Sequence, residues 1–298
     1  MLLLVLEGGG MRAGFVAGAL MALMDKRLTG FDAALAVSAS VPTLAYFAAG
    51  QREDMEKVWR NELNTPRLVC YRNIPTAPFS PSVKRPILDI DYLVYEIFRH
   101  RFPLNLDAVL SNRMSCHFAA ARVPECDLRL FNPMVGDIYT LFKACLAVPG
   151  CYSDAVPMDT GDYVDGGMAH PLPVRAMLGQ GFDRVLVILS KPLDFVCYPP
   201  NLLERALFWR YFRKYDWLMT KICEAGRAYT EEVSFLRDLI AQDPPGALII
   251  SPETMPPARF ITRDRNKINR TIDMGYRAVE ALEAPIRRFM TGHGTMRG

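Results

Sequence analysis

The chain has 298 residues, room for one large domain or two of ordinary size. Half of its residues are apolar and 22% are charged, which excludes a disordered, collagen-like or coiled-coil chain. Thirty-five basic against 32 acidic residues leave a charge of +3, far short of the excess that marks a nucleic-acid binder.

Leu2 to Leu6 is a short apolar run with no basic leader, and it predicts a buried strand in place of a signal peptide. Glu7-Gly8-Gly9-Gly10-Met11-Arg12-Ala13-Gly14 follows, then a small-residue amphipathic stretch to about Met24: strand, glycine loop, helix. A second apolar run, Ala33 to Val37, passes through Ser38 into a helix over Ala39 to Ala49. Pro42 is compatible with that helix, because the first turn does not need its missing N–H. Residues 51 to 110 are broken by prolines, with helices predicted near Asp54 to Glu62 and Asp91 to His100, as in an inserted cap. Strands are predicted at Met114 to Arg122 and Arg184 to Leu189, with helical patches near Ile138 to Leu146 and Val174 to Leu178 between them. Beyond Asn201 the pattern is helical apart from one strand, Ala247 to Ser251. Strands alternating with helices imply an α/β fold whose mostly parallel sheet is covered on both faces.

Three candidate chemical elements stand along this frame. Three glycines between a strand and a helix reach conformations closed to other residues and aim N–H groups at an anion or a developing oxyanion. The same loop fits a loose dinucleotide fingerprint, but that reading needs an acidic residue at the end of the second strand, which ends instead in Val37-Ser38. Ser38 occupies a strand-to-helix junction, the place of a nucleophile elbow or of an ordinary helix N-cap. In Tyr163-Val164-Asp165-Gly166-Gly167 a carboxylate ends an apolar approach and two glycines let the chain turn; Asp165 could take the proton of Ser38 with no histidine between them.

Taken together, these motifs resemble those of the patatin-like phospholipases, above all the bacterial ones. The family's glycine loop is matched by Gly8-Gly9-Gly10-Met11-Arg12-Ala13, its elbow by Ala36-Val37-Ser38-Ala39-Ser40 and its aspartate motif by Asp165-Gly166-Gly167. Weaker matches are Lys143 to Gly150, Leu172-Pro173-Val174 and Gly181 to Val187, so the resemblance spans about residues 2 to 192. It implies a three-layer patatin-like fold and hydrolysis of a lipid or phospholipid ester through an acyl-enzyme on Ser38. Asp165 would be the base, and the N–H groups of Gly8, Gly9, Gly10 and Ala39, with Arg12 nearby, would form the oxyanion hole. No cofactor is implied. The family's elbow is Gly-x-Ser-x-Gly, and this chain has Ala36 and Ser40 in place of those glycines, with Ala13 replacing a third. The alternative expectation is therefore a relative of impaired catalysis that binds lipid or a protein partner through the same cleft.

The rest of the sequence bears on setting. Seven scattered cysteines suit a reducing compartment, and four dispersed histidines supply no zinc signature; Cys116-His117 with Cys126 is the nearest approach to one, and no metal is expected. His170 is expected to be a structural or surface residue. No apolar run approaches a membrane span, so a cytoplasmic protein is expected, with any lipid contact peripheral. Helical spacing from Leu202 to Ile222 sets an apolar face against Arg205, Arg210, Arg213, Lys214 and Lys221, with Trp209 and Trp217 among the basic residues. That pattern suits a membrane contact and equally a helix packed on the protein with a solvated basic face. Because Ser38 and Asp165 must meet, a single domain over 1–298 is expected: core about 1–195, cap about 51–110 and helical part about 196–298.

Overall fold

The computed structural model describes residues 1–75, 86–134, 136–152, 155–197, 202 and 216–292. The apolar run at the N-terminus is β1 (Leu2–Leu6), every residue of it buried. A 3₁₀ turn over Gly10–Ala13 leads into α1 (Gly14–Asp25), then β2 (Ala33–Val37) and α2 (Ser40–Ala48), the expected βαβα opening. In the cap, α3 (Arg52–Lys57) runs into a π-helical turn over Val58–Glu62, and a second π-helical stretch covers Tyr92–Arg101. Apolar periodicity placed both helices, but it carries no sign of the wider i→i+5 winding. After α4 (Leu106–Ser111) come β3 (Ser115–Val123), β4 (Asp127–Phe131), α5 (Ile138–Leu146), β5 (Val156–Met158) and β6 (Gly161–Asp165). The remainder is α6 (Val174–Leu178), β7 (Arg184–Ile188), α7 (Asp216–Ile240), β8 (Ala247–Ile250), α8 (Arg265–Ala281) and α9 (Glu283–Thr291).

The strands form one eight-stranded sheet in the order β5-β6-β3-β2-β1-β7-β8, with β4 also paired to β3. The five strands from β3 to β8 along this order run parallel, and β4, β5 and β6 join antiparallel. Parallel strands with helices on both faces read as unbroken apolar runs, which is how β1, β2 and β7 appear in the sequence. One face packs against α1, α2, α5 and the cap; the other is covered by α6 and by Tyr229, Val233 and Leu236 of α7. The cap side chains Met55, Trp59 and Phe98 belong to the same apolar cluster as β1 and α1.

The nine-residue strand β3 positions the site. Along one edge its first half pairs with β2, ending at Val37↔Ala119, and its second half pairs with β6, beginning at Ala120↔Asp165. Since β2 is parallel to β3 and β6 antiparallel, their carboxyl ends meet head to head, held by neighbouring residues of one strand. On the far side, α8 crosses α1 with almost no separation. A Cβ on Gly18 would stand 1.9 Å from the Ile272 carbonyl oxygen, and one on Gly275 1.9 Å from that of Phe15. Only hydrogen fits at either place.

Candidate active site

The chain leaves β2 through Ser38, whose φ of 57° is a left-handed conformation that a non-glycine residue adopts only under constraint. The strain turns the strand sharply into α2 and sets the hydroxyl at the carboxyl edge of the sheet. The constraint is visible in the packing: a Cβ on Gly8 would fall 2.6 Å from Ser38 Cβ and 2.8 Å from the Val37 carbonyl oxygen. At the positions where the family keeps elbow glycines, Ala36 is buried within β2, and the Ser40 hydroxyl donates a 2.7 Å hydrogen bond to the Glu7 carbonyl. The extra atoms at Ser40 thus tie the elbow to the strand that carries the glycine loop.

That loop leaves β1 at Glu7 and turns with φ of 150° at Gly9 and 58° at Gly10. A Cβ on Gly10 would strike the Phe260 carbonyl oxygen at 2.3 Å, and that oxygen accepts the Met11 N–H at 3.1 Å. Gly9 and Gly10 open a helical turn, so their N–H groups have no partner within it, and among the described residues they donate to no other backbone carbonyl. They border the same clefts as Ser38.

Asp165 ends β6, where its backbone N–H donates to the Ala147 carbonyl at 3.0 Å and its Oδ1 accepts the Gly167 N–H at 2.8 Å. Gly166 lies against the Ala119 carbonyl so closely that a Cβ would be 2.5 Å from its oxygen, which is why the sharp turn needs glycine. Burial pushes the Asp165 carboxyl up to about 6, against the opposing pull of the Ser38 hydroxyl and the Gly167 N–H. Its Oδ2 is buried without an aligned hydrogen bond. The Ser38 hydroxyl and the Asp165 carboxyl are thus neighbours in the lining of one cleft.

Two clefts meet at Ser38. One, about 660 Å³ with its mouth, is apolar and runs beneath the cap, bordered by Ala39, Tyr46, Trp59, Leu93, Phe98 and Leu146. The other, about 550 Å³, is the more polar of the two and contains Asp165, Gly8, Gly9, Arg12, Glu7 and Lys191. Within it the buried Glu7 carboxylate lies 2.6 Å from Lys191 Nζ, an ionic contact without the alignment of a hydrogen bond, and accepts from the Ser190 N–H at 2.6 Å. Lys191 Nζ also sits 3.9 Å from the centre of the Tyr229 ring. Burial lowers the pKa of Arg12, Glu7 opposes that shift, and the Arg12 Nε is buried without a partner. Glu7, Arg12 and Lys191 thus share the lining of this cleft with Asp165.

Ser38, Asp165, Gly8, Gly9, Gly10, Arg12, Ala39 and Gly167 line the two clefts, and Gly166 lies in the turn directly after Asp165. Sequence reasoning passed over Glu7, Ser190, Lys191 and Phe260. A lysine directly after the apolar β7 run was the available signal for the Glu7 pair; Phe260 had none. His170 is half-buried, its Nε2 3.6 Å from the buried Glu232 carboxylate, and burial lowers its pKa while raising that of Glu232 to about 7. Of the proposed membrane contacts, Trp209, Arg210 and Arg213 lie outside the described residues. Trp217, near the start of α7, is half-buried and packs against two small apolar clusters, one of Ile87 and Leu218 and one of Ala121, Cys126 and Val164. Among the described residues no cluster of His, Cys, Asp and Glu could hold a metal ion, and no helix is long and apolar enough to cross a membrane.

A glycine loop, a strained strand-to-helix serine and a buried aspartate thus lie together at one edge of an α/β sheet. The family model of patatin-like phospholipase matches residues 4–178, and the chain belongs to that family, whose membership supports a lipid hydrolase role. It is 27% identical over 263 residues to the uncharacterized protein YjjU of Escherichia coli strain K12, covering 85% of this chain and 68% of that one. Among solved structures it is similar in fold to VipD of Legionella pneumophila, with a TM-score of 0.53 and 12% identity, over 95% of this chain and 66% of that one. This chain therefore spans just under two thirds of VipD. ExoU with SpcU, from the type III secretion system of Pseudomonas aeruginosa, gives a TM-score of 0.35 at 14% identity, over 97% of this chain and 52% of that one, too distant a likeness to argue from.

Proposed function

We propose that the chain is a lipid acyl hydrolase of phospholipase A or esterase type that works through a Ser38–Asp165 dyad. The observation that carries this reading is the head-to-head meeting of β2 and β6 on β3, which brings a strained serine beside a buried carboxyl. Asp165 as carboxylate accepts the Ser38 hydroxyl proton while Oγ adds to the ester carbonyl carbon. The resulting oxyanion is received by the N–H groups of Gly9, Gly10 and Ala39, with Arg12 adding positive potential. Collapse breaks the ester bond, and the departing alkoxide takes the proton from Asp165. Water then repeats the sequence on the acyl-enzyme. An acceptor other than water would make the same intermediate serve acyl transfer.

The apolar cleft would take the acyl chain and the polar cleft the alcohol half. Contact with the lipid surface is peripheral in this reading, through Trp209, Trp217, Arg210 and Arg213, on a cytoplasmic protein whose chain acts as one domain. The test is labelling with an active-site-directed fluorophosphonate, the adduct located by mass spectrometry. An adduct on Ser38 that is lost in Ser38→Ala supports the dyad. A folded protein with no adduct refutes it and leaves the alternative of a lipid- or partner-binding relative. Vesicle binding that survives Trp209→Ala with Trp217→Ala would remove those residues from the membrane contact.

A further inference from the structure

The apolar cleft beside Ser38 has a floor as well as walls. Its lining positions on α2 are Ala39, Pro42, Thr43 and Tyr46, spaced three or four apart and so on one face of the helix. The cleft therefore runs lengthwise along α2, away from the serine. Ser38 and Tyr46 are eight residues apart, which at a helical rise of about 1.5 Å per residue separates their Cα atoms by about 12 Å along α2 and sets the scale of the depth.

Tyr46 is held at that depth. It is buried, its hydroxyl donates to the Phe102 carbonyl, and its ring meets Phe98 edge-on at 6.0 Å. Phe98 in turn meets Phe142 edge-on at 6.0 Å. A floor of interlocked rings resists a chain end pushing against it. The polar groups on the walls are satisfied: the Trp59 indole N–H donates to Thr43 Oγ1 at 3.1 Å, and the Thr43 hydroxyl donates to the Ala39 carbonyl at 3.1 Å. Nothing in those walls asks for water.

We infer that this cleft is a length gauge for the acyl chain, with Phe98 and Tyr46 as its stop, and that the hydrolase prefers medium-chain esters. The inference rests on the reading that Ser38 carries the acyl group. An extended hydrocarbon built from C–C bonds of about 1.5 Å advances about 1.25 Å per carbon, so a depth of 12 Å takes roughly ten carbons. Longer chains must bend back or leave their ends in water.

The experiment is kcat/KM for p-nitrophenyl esters from butanoate to hexadecanoate, presented at equal surface density in mixed detergent micelles so that partitioning does not enter. In the micelle the chain already lies in an apolar phase, so kcat/KM should change little per methylene up to about decanoate and should fall beyond it, where the chain end finds no room in the cleft. Phe98→Ala removes the support of the stop and should raise the ratio of hexadecanoate to octanoate activity about tenfold or more. Phe98→Leu, which keeps most of the volume, should move the same ratio less and in the same direction if the alanine variant does not fold. A rise that continues unbroken to hexadecanoate, or a fall-off unmoved in both Phe98 variants, overturns the gauge. Hydrolysis with no dependence on chain length from butanoate to hexadecanoate overturns it while leaving the hydrolase reading intact. No hydrolysis at any length, with Ser38 unlabelled by fluorophosphonate, removes both.

Discussion

Asp165 should weaken the fold that holds it. Its carboxyl is buried, and burial lifts its pKa from 3.8 to about 6, so the ionised form that the proposed dyad requires is the form the interior disfavours. The difference of about two units corresponds to about 3 kcal/mol at 1.36 kcal/mol per unit. For an acid whose folded pKa is raised, the stabilising contribution is complete below the unfolded value near 3.8 and is lost as pH rises through about 6. Asp165→Asn keeps the acceptor for the Gly167 N–H and cannot ionise. It should therefore match the unsubstituted protein near pH 4 and exceed it by about 1–3 kcal/mol at pH 8, with the gap opening from about pH 4 through 6 and level above about pH 7. Urea denaturation across that range reads the gap. Hydrolysis should vanish in the variant, while in the parent kcat/KM should climb tenfold per pH unit below about 6 and level off above. An asparagine variant no more stable at pH 8, or a gap that does not change with pH, would refute the reasoning that burial controls this carboxyl.

Three further substitutions probe the supports of the site. Gly8→Ala drives a methyl against Ser38 and the Val37 carbonyl, and should lower kcat by about 100-fold with a loss of about 1–3 kcal/mol in unfolding free energy. Gly275→Ala forces α8 away from the Phe15 carbonyl and should cost about 3 kcal/mol or more by thermal or urea unfolding, since backbone on both sides has no room to yield. Lys191→Met leaves the buried Glu7 carboxylate without its ion partner and should cost about 3–5 kcal/mol, most of it recovered in the double variant with Glu7→Gln; equal losses in the single and double variants would show that packing of the lysine stem matters more than its charge.

The parts of the molecule legible in the sequence are those set by local pattern. Apolar runs marked β1, β2 and β7 because strands covered on both faces need no polar alternation, and α5 and α6 begin and end where the helical spacing placed them. The turns at Ser38 and Asp165 were legible because sharp turns at a sheet edge demand small neighbours, and those neighbours are in the sequence. Strands β4 and β5 were not. The first alternates apolar and polar residues at a sheet margin, and the second is a three-residue strand containing Pro157. The pairing of β6 beyond the end of β2 is a long-range register that no local pattern encodes. Nor is the crossing of α1 and α8, since Gly18 and Gly275 lie far apart in the chain and acquire meaning only against each other. Ser40 shows the opposite limit: read as an added bulk where a glycine belongs, it proves to be a hydrogen-bond donor to the Glu7 carbonyl.

The shared edge of β3 has a consequence for how the protein would fail. Strand register shifts only in whole residues of about 3.3 Å, and a one-residue slip turns every side chain to the other face. The ends of β2 and β6 that carry Ser38 and Asp165 are thus not free to slide apart by small amounts. Damage to β6 or β3 should yield a mixture of fully competent and wholly incompetent molecules, and active-site titration would count fewer sites, each turning over at the undiminished rate.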